Sequence, residues 1–104
     1  MLHAKKLLTK MLADTGWRTI GNNGVSYRIY RGVCYIVIEN ANLTTSWSTI
    51  ATLPAEACPQ AVINPYLHRG FAMAQCFINT SGAIKAQGQV ADSGYSGFCA
   101  FPVE

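Results

Sequence analysis

Hydrophobic and polar residues alternate with a period of two along several short segments of this chain. In residues 25–30, the side chains of Val25, Tyr27 and Ile29 share one face, and mostly polar residues occupy the other. This alternation predicts a strand with one buried face. Residues 33–38 have no polar face, so we expect a strand that is covered on both sides, either by a second subunit or by the N-terminal segment.

Turn-forming residues separate such segments from Trp17 onward, because glycine and asparagine tolerate the positive φ that tight turns require. Turns or loops are predicted at residues 21–24, 31–32, 39–45, 65–70, 79–82 and 92–94. Further strands are predicted at residues 47–53, 61–64, 71–78, 83–90 and 96–103. Short antiparallel strands in this number indicate an all-β fold, namely an antiparallel β-sandwich or a jelly-roll-like head.

The beginning of the chain follows a different pattern. Leu8, Met11 and Leu12 share one helical face, and lysines lie elsewhere. This spacing predicts a short N-terminal helix or arm over residues 1–15, ahead of a β-sandwich head domain over residues 16–104. A helix of this length is marginal alone in water. It therefore packs either on its own sheet or against other copies as a short trimeric coil.

The sequence contains few charged residues. Half of the 104 residues are hydrophobic and 12% are charged, against about 25% in typical soluble domains. Such a domain tends to bury a second face against copies of itself, so we expect an oligomer. The net charge of +3 comes from scattered residues, and no apolar run approaches about 18 residues. We therefore expect neither a nucleic-acid partner nor membrane insertion.

Four cysteines raise the question of disulfide bonds or a metal site. Cys34, Cys76 and Cys99 lie in apolar, strand-like runs, where free cysteines behave as small hydrophobes. The first residues lack the apolar run of an export signal, which favours free thiols. A secreted, disulfide-bonded carbohydrate-binding domain is the alternative. No CxxC pair occurs and His3 is distant in sequence from His68, so we expect no metal and no cofactor.

A series of short motifs follows a fixed order between residues 16 and 90. They are Gly16-Trp17, the turn at 22–24, Trp47 with Thr52-Leu53-Pro54, and the hairpin at 78–84. In order and spacing they resemble the C-terminal head or tip domains of bacteriophage (prophage) tail fibre, baseplate or receptor-binding proteins. The resemblance implies a β-sandwich head that forms a homotrimer and contacts the host cell surface and other tail proteins. It also implies a place in the virion tail after synthesis in the bacterial cytoplasm.

Many heads of this kind bind cell-wall saccharides, which require aromatic faces together with hydrogen-bonding groups. The predicted loop at 65–70, with Asn64 before it, offers such groups. So does Tyr95, which follows Asp92 and Ser93 of the predicted turn at 92–94. The expected ligand-binding residues are Tyr66, His68, Arg69, Asp92 and Tyr95. The alternative is that Tyr66 packs against the end of the sandwich and His68-Arg69 is a solvated turn.

Other functions are weighed against this hypothesis. The acidic residues are few, and no pair stands out at the spacing that a glycosidase needs, so we expect no catalytic residues and no enzyme. Trp17 and Trp47 are expected to pack in the core. A structural module that holds or caps a trimer of a phage tail, with no ligand, is the closest alternative function.

Overall fold

Antiparallel strands dominate residues 14–103, the part of the chain that the computed structural model describes. The eight strands are β1 (Arg18–Ile20), β2 (Val25–Tyr30), β3 (Val33–Leu43), β4 (Ser48–Thr52), β5 (Tyr66–Arg69), β6 (Ala72–Ile78), β7 (Ala83–Gly88) and β8 (Asp92–Pro102), and a 3₁₀ turn spans Ala55–Ala57. The predicted all-β fold is therefore confirmed. The N-terminal helix or arm predicted for residues 1–15 lies outside the described residues, apart from its last two positions.

The strands form one sheet in the order β1-β2-β3-β8-β5-β6-β7-β4. This sheet folds over as a nearly closed β-sandwich, and β8 belongs to both of its layers. It pairs with β3 from Val33↔Pro102 to Leu43↔Asp92, and with β5 at His68↔Ser96. At the open side, the position of a Cβ on Gly21 lies 3.4 Å from the carbonyl oxygen of Ile50, so the end of β1 approaches β4.

The core lies between the two layers and is built by alternate residues of each strand. One layer contributes buried side chains from β2 and β3, the other contributes them from β4, β5, β6 and β7, and β8 contributes to both. The largest fully buried side chains are Val25, Cys34, Ile36, Ile38, Leu43, Leu67, Ile78, Ile84 and Tyr95. Apart from the hydroxyls of Tyr27 and Tyr95 and the cysteine thiols, the buried side chains in residues 14–103 are apolar, so the core is held mainly by apolar packing.

Two predicted loops are strands in the structure. The segment 39–45, predicted as a loop, largely continues β3, because a bulge at Asn40, with φ of 55°, realigns the strand. Ala41 and Leu43 then point inward and are buried. The segment 65–70, also predicted as a loop, contains β5, whose four residues pair with β6.

Two other boundaries differ from the prediction. Residues 61–64 form no strand and make one isolated bridge, Ile63↔Ile78. The predicted turn at 92–94 is instead the beginning of β8, where Gly94 adopts a φ of 98°. In both segments, residues typical of turns occur together with residues typical of strands. The local composition therefore did not decide between a turn and a strand.

The outer faces of the sheet are more open than the sequence predicted. Val33, Tyr35 and Val37 of β3 are half-buried, so residues 14–103 do not cover this strand on both sides. Trp17 and Trp47 are 53% and 45% exposed, and the expectation that they pack in the core is wrong. The exposed aromatic residues are therefore available for contacts with other molecules.

An ion pair fastens the start of the described chain to β2. Arg28 donates from Nε to Oδ1 of Asp14 at 2.9 Å and from its Nη2 to Oδ2 at 2.6 Å. The backbone N–H of Gly16 donates to the same carboxylate at 2.8 Å. These bonds, with Arg28 contributing most, lower the pKa of Asp14 from 3.8 to about 2.

We expect this ion pair to stabilise the fold above about pH 4 and to lose that effect as the pH falls towards 2. The sign follows because the pKa of Asp14 is lower in the folded chain than in the unfolded chain. An NMR pH titration should give a pKa of about 2 for Asp14 and a higher value in Arg28→Gln, short of 3.8 because the N–H of Gly16 still donates to the carboxylate. Lys85→Gln, which removes a cation on another strand, serves as the control. A pKa that stays near 2 in Arg28→Gln contradicts the assignment.

Candidate functional site

The five residues predicted to bind a ligand are divided between three environments. Tyr66 and His68 lie on the outer face of β5, and Tyr66 is 75% exposed. Arg69 and Asp92 lie at one end of the sheet, where β5 ends and β8 begins. Tyr95 lies inside the core. The structure therefore does not bring the five side chains into one site.

Arg69 and Asp92 form an ion pair that clamps two strands together. Nη2 of Arg69 lies 3.0 Å from Oδ2 of Asp92, and Nε donates to the carbonyl oxygen of Ser93 at 2.8 Å. The side-chain carbons of Arg69 also lie beside Gly94, within 3.6 Å of the place where a Cβ would be. The guanidinium and the carboxylate are thus already engaged with each other, and their first role is to hold β5 beside β8.

Tyr95 is fully buried, and its expected role as a ligand contact is wrong. Its hydroxyl donates to the carbonyl oxygen of Val90 at 2.8 Å and accepts from the N–H of Val90 at 3.1 Å. Gly88 lies against the same hydroxyl, because a Cβ there would be 3.0 Å from it. Both hydrogen-bonding capacities of the hydroxyl are satisfied within the fold, and no face of the ring reaches solvent.

A different set of side chains converges around Tyr66. Tyr66 lies directly opposite Gln75, and Gln75 lies directly opposite Gln87. Directly opposed residues of antiparallel strands point to the same face, so these three form a row across β5, β6 and β7. Two adjoining depressions of about 540 and 410 Å³ share Tyr66 and Gln75 and follow this row. We call them together the outer groove, whose other main lining residues are Gln89, Trp47 and Phe77.

Two of the glutamines in the outer groove are held in place by the backbone. Nε2 of Gln87 donates to the carbonyl oxygen of Thr45 at 2.7 Å. Oε1 of Gln89 accepts from the backbone N–H of Met73 at 3.2 Å. Within residues 14–103 these amides make no other side-chain hydrogen bond, so Oε1 and one N–H of Gln87, and both N–H groups of Gln89, are left to a ligand. Gln75, between Tyr66 and Gln87, makes none within the same range.

Aromatic rings flank the amides on two sides. Tyr66 stands at one side with most of its surface exposed. Trp47 lies on Phe77 with 5.1 Å between the ring centroids and a tilt of 55°, and almost half of its surface is exposed. The outer groove therefore combines planar apolar surfaces with amides, which is the chemistry of a carbohydrate-binding surface.

The groups available for covalent or metal chemistry are limited. All four cysteines are free thiols. Burial raises the pKa of the Cys34 and Cys76 thiols to about 12 and that of Cys99 to about 11, so these three are protonated at neutral pH. Within the described range, no group of three or more His, Cys, Asp or Glu side chains could hold a metal ion.

The sequence interpretation found Tyr66 and Asn64, which line the outer groove, but it missed the three glutamines. A signal for them was present, since Gln75, Gln87 and Gln89 lie at alternating positions of two predicted strands that share a short turn. In a hairpin, outward residues at such positions meet on one face. His68 lies on that face as well, opposite Met73, but outside the groove lining.

Comparison with known proteins does not identify a family. No protein-family model matches the chain, and no curated protein matches it. Among residues 14–103, the structure contains no helix with the length and apolar character needed to cross a bilayer. The function therefore has to be argued from the outer groove and from the sequence motifs.

Proposed function

We propose that this chain is a receptor-binding-type tail-tip domain of a bacteriophage, which trimerises and binds a saccharide of the host cell surface. The virion tail is its proposed place, and other tail proteins are its proposed neighbours. The ordered motifs that resemble such heads support the phage assignment. The observation that carries the saccharide assignment is the outer groove, with Tyr66 and Trp47 beside the row of glutamines.

The groove suits a sugar because its aromatic rings match the C–H face of a pyranose ring and its amides match the hydroxyls of that ring. The C–H face of a sugar ring packs on an aromatic face, and its hydroxyls need partners that both donate and accept. Tyr66 and Trp47 offer the aromatic faces, and Gln75 and Gln87 offer the donors and acceptors. Because all of them lie on or beside paired strands, the site is largely preformed, which lowers the entropic cost of binding.

A purely structural role in a trimer is the second candidate, and a separate observation favours it. The outer rows of β3 and β8 pair apolar residues with each other: Val33 with Pro102, Tyr35 with Ala100 and Val37 with Phe98. Phe98 is 60% exposed. Contact between copies through this layer would cover these apolar rows. Such contact is what we expect for a domain with so few charged residues. The third reading, a secreted disulfide-bonded domain, gains no support from four free thiols.

We expect Tyr66→Ala to weaken saccharide binding by about tenfold or more, because it removes the most exposed stacking ring of the groove. The measurement is binding to an array of bacterial surface glycans, with light scattering on a sizing column to follow the oligomeric mass. The mass should equal three chains in both the native protein and the variant.

Phe71→Ala is the matched control, because Phe71 is another exposed aromatic residue but lies outside the outer groove. It should bind as the native chain does. Equal binding by Tyr66→Ala and the native chain would show that the groove is wrongly assigned. A native chain that binds no glycan but has the mass of three chains would favour the structural role, and a monomer would contradict the proposed trimer.

A further inference from the structure

The lining of the outer groove carries no charge. Its polar groups are mainly amides and hydroxyls, and its apolar groups include Tyr66, Trp47, Phe77 and Met73. A carboxylate, sulfate or phosphate that entered would lose hydration without meeting a cation, which is costly. Lys85 and His68 lie on this face opposite the lining residues Phe77 and Met73, but neither belongs to the lining. Arg69 is engaged by Asp92 at the end of the sheet.

The amides of the groove offer donors and acceptors together, which suits a neutral ligand. Nε2 of Gln87 gives one of its two hydrogens to Thr45, so Oε1 and one N–H of Gln87 are left to a ligand. Oε1 of Gln89 accepts one bond from Met73, so both N–H groups of Gln89 are left to a ligand. A hydroxyl or an acetamido group both donates and accepts, so it can use both kinds of group. An ionised acid group only accepts, so it would leave the oxygen of Gln87 without a partner.

We infer that the ligand of the outer groove is an uncharged saccharide, bearing hydroxyl or N-acetyl groups, and that the uncharged lining with its amide donors and acceptors favours it over acidic saccharides. This inference rests on the proposed saccharide binding and adds its chemical class. Gln89 is expected to help orient the sugar, because both of its N–H groups are left to a ligand beside the amide of Gln75. Binding is expected to depend little on salt, since no ion pair forms between protein and ligand.

The test uses the full chain and an array with two classes of oligosaccharide. One class is neutral, built from hexoses and N-acetylhexosamines, and the other carries uronate, sialate or phosphate groups. We expect neutral glycans to bind, with less than a twofold change in affinity between 50 and 500 mM NaCl, about one order of magnitude in ionic strength.

Gln89→Glu is the decisive variant because it keeps the shape of the side chain. An oxygen of the new carboxylate can still accept from the N–H of Met73, while the groove-facing amide donor is replaced by a negatively charged acceptor. We expect at least a tenfold loss of affinity for neutral glycans, with an unchanged thermal midpoint. Lys85→Gln, which removes the flanking cation, should bind neutral glycans as the native chain does.

The outcomes separate this inference from the proposed function. Binding of acidic glycans alone, with a steep salt dependence that Lys85→Gln abolishes, overturns the inference while the saccharide-binding function stands. Undiminished binding of neutral glycans by Gln89→Glu overturns the role of Gln89. If neither class binds at any concentration on the array, the proposed saccharide function fails and the inference fails with it.

Discussion

Gly24→Ala is expected to lower the free energy of unfolding by about 3 kcal/mol, and this is among the largest effects of any single substitution. Gly24 adopts a φ of 76°, and a Cβ there would overlap the carbonyl oxygen of Glu39. The carbonyl oxygen of Gly24 meanwhile accepts from the N–H of Glu39 at 2.9 Å, so the two backbones cannot separate without losing a hydrogen bond.

Gly32→Ala provides the matched control for that prediction. Gly32 has nearly the same φ, 78°, but nothing lies within 4 Å of the place where its Cβ would be. It should lose about 1 kcal/mol, the cost of placing a side chain in the left-handed region. Urea denaturation of both variants gives the difference, which measures the overlap with Glu39. Equal losses in the two variants would contradict the overlap.

Gly97→Ala should destabilise the domain by about 3 kcal/mol through a different mechanism. Its φ lies outside the left-handed region, so strain in the backbone is not involved. A Cβ on Gly97 would overlap the carbonyl oxygen of Tyr66 and a methyl group of Leu67. It would thus push β5 away from β8 at the place where their pairing consists of His68↔Ser96.

The same substitution should also reduce glycan binding, because Tyr66 would move relative to the glutamines of β6 and β7. Thermal unfolding and hydrogen exchange at β5 measure the first effect, and the glycan array measures the second. Ala100→Ser, at an exposed position of the same strand, should change stability by less than about 0.5 kcal/mol. A Gly97→Ala protein with native stability would show that the contact between β5 and β8 is loose.

The strand predictions were accurate where alternation and a tight turn coincide. Residues 25–30 were predicted as a strand and form β2 with the same bounds. Its inward and outward residues are set by a strict period of two, and a two-residue turn fixes its register with β3. Local sequence is sufficient in such a case because the neighbouring strand is also the next one along the chain.

The elements that were not predicted from the sequence also share a physical reason. β5 is four residues long, and its pattern of one buried residue among exposed ones is that of a loop. It becomes a strand because β6 and β8 supply its hydrogen-bond partners, and that information lies elsewhere in the chain. The outer groove follows the same rule, since the meeting of Tyr66 with Gln75 and Gln87 depends on the register of three strands.

The position of β8 has a consequence for how the molecule is made. Residues 33 and 102 are partners, so the hydrogen bonds along one edge of β3 form only after nearly the whole domain has left the ribosome. Pairing over such a sequence separation slows folding, since a long loop must close before any contact compensates for it. Until then, an apolar strand edge stays open to other nascent chains. The yield of this domain should therefore depend on the rate of synthesis and on the supply of chaperones.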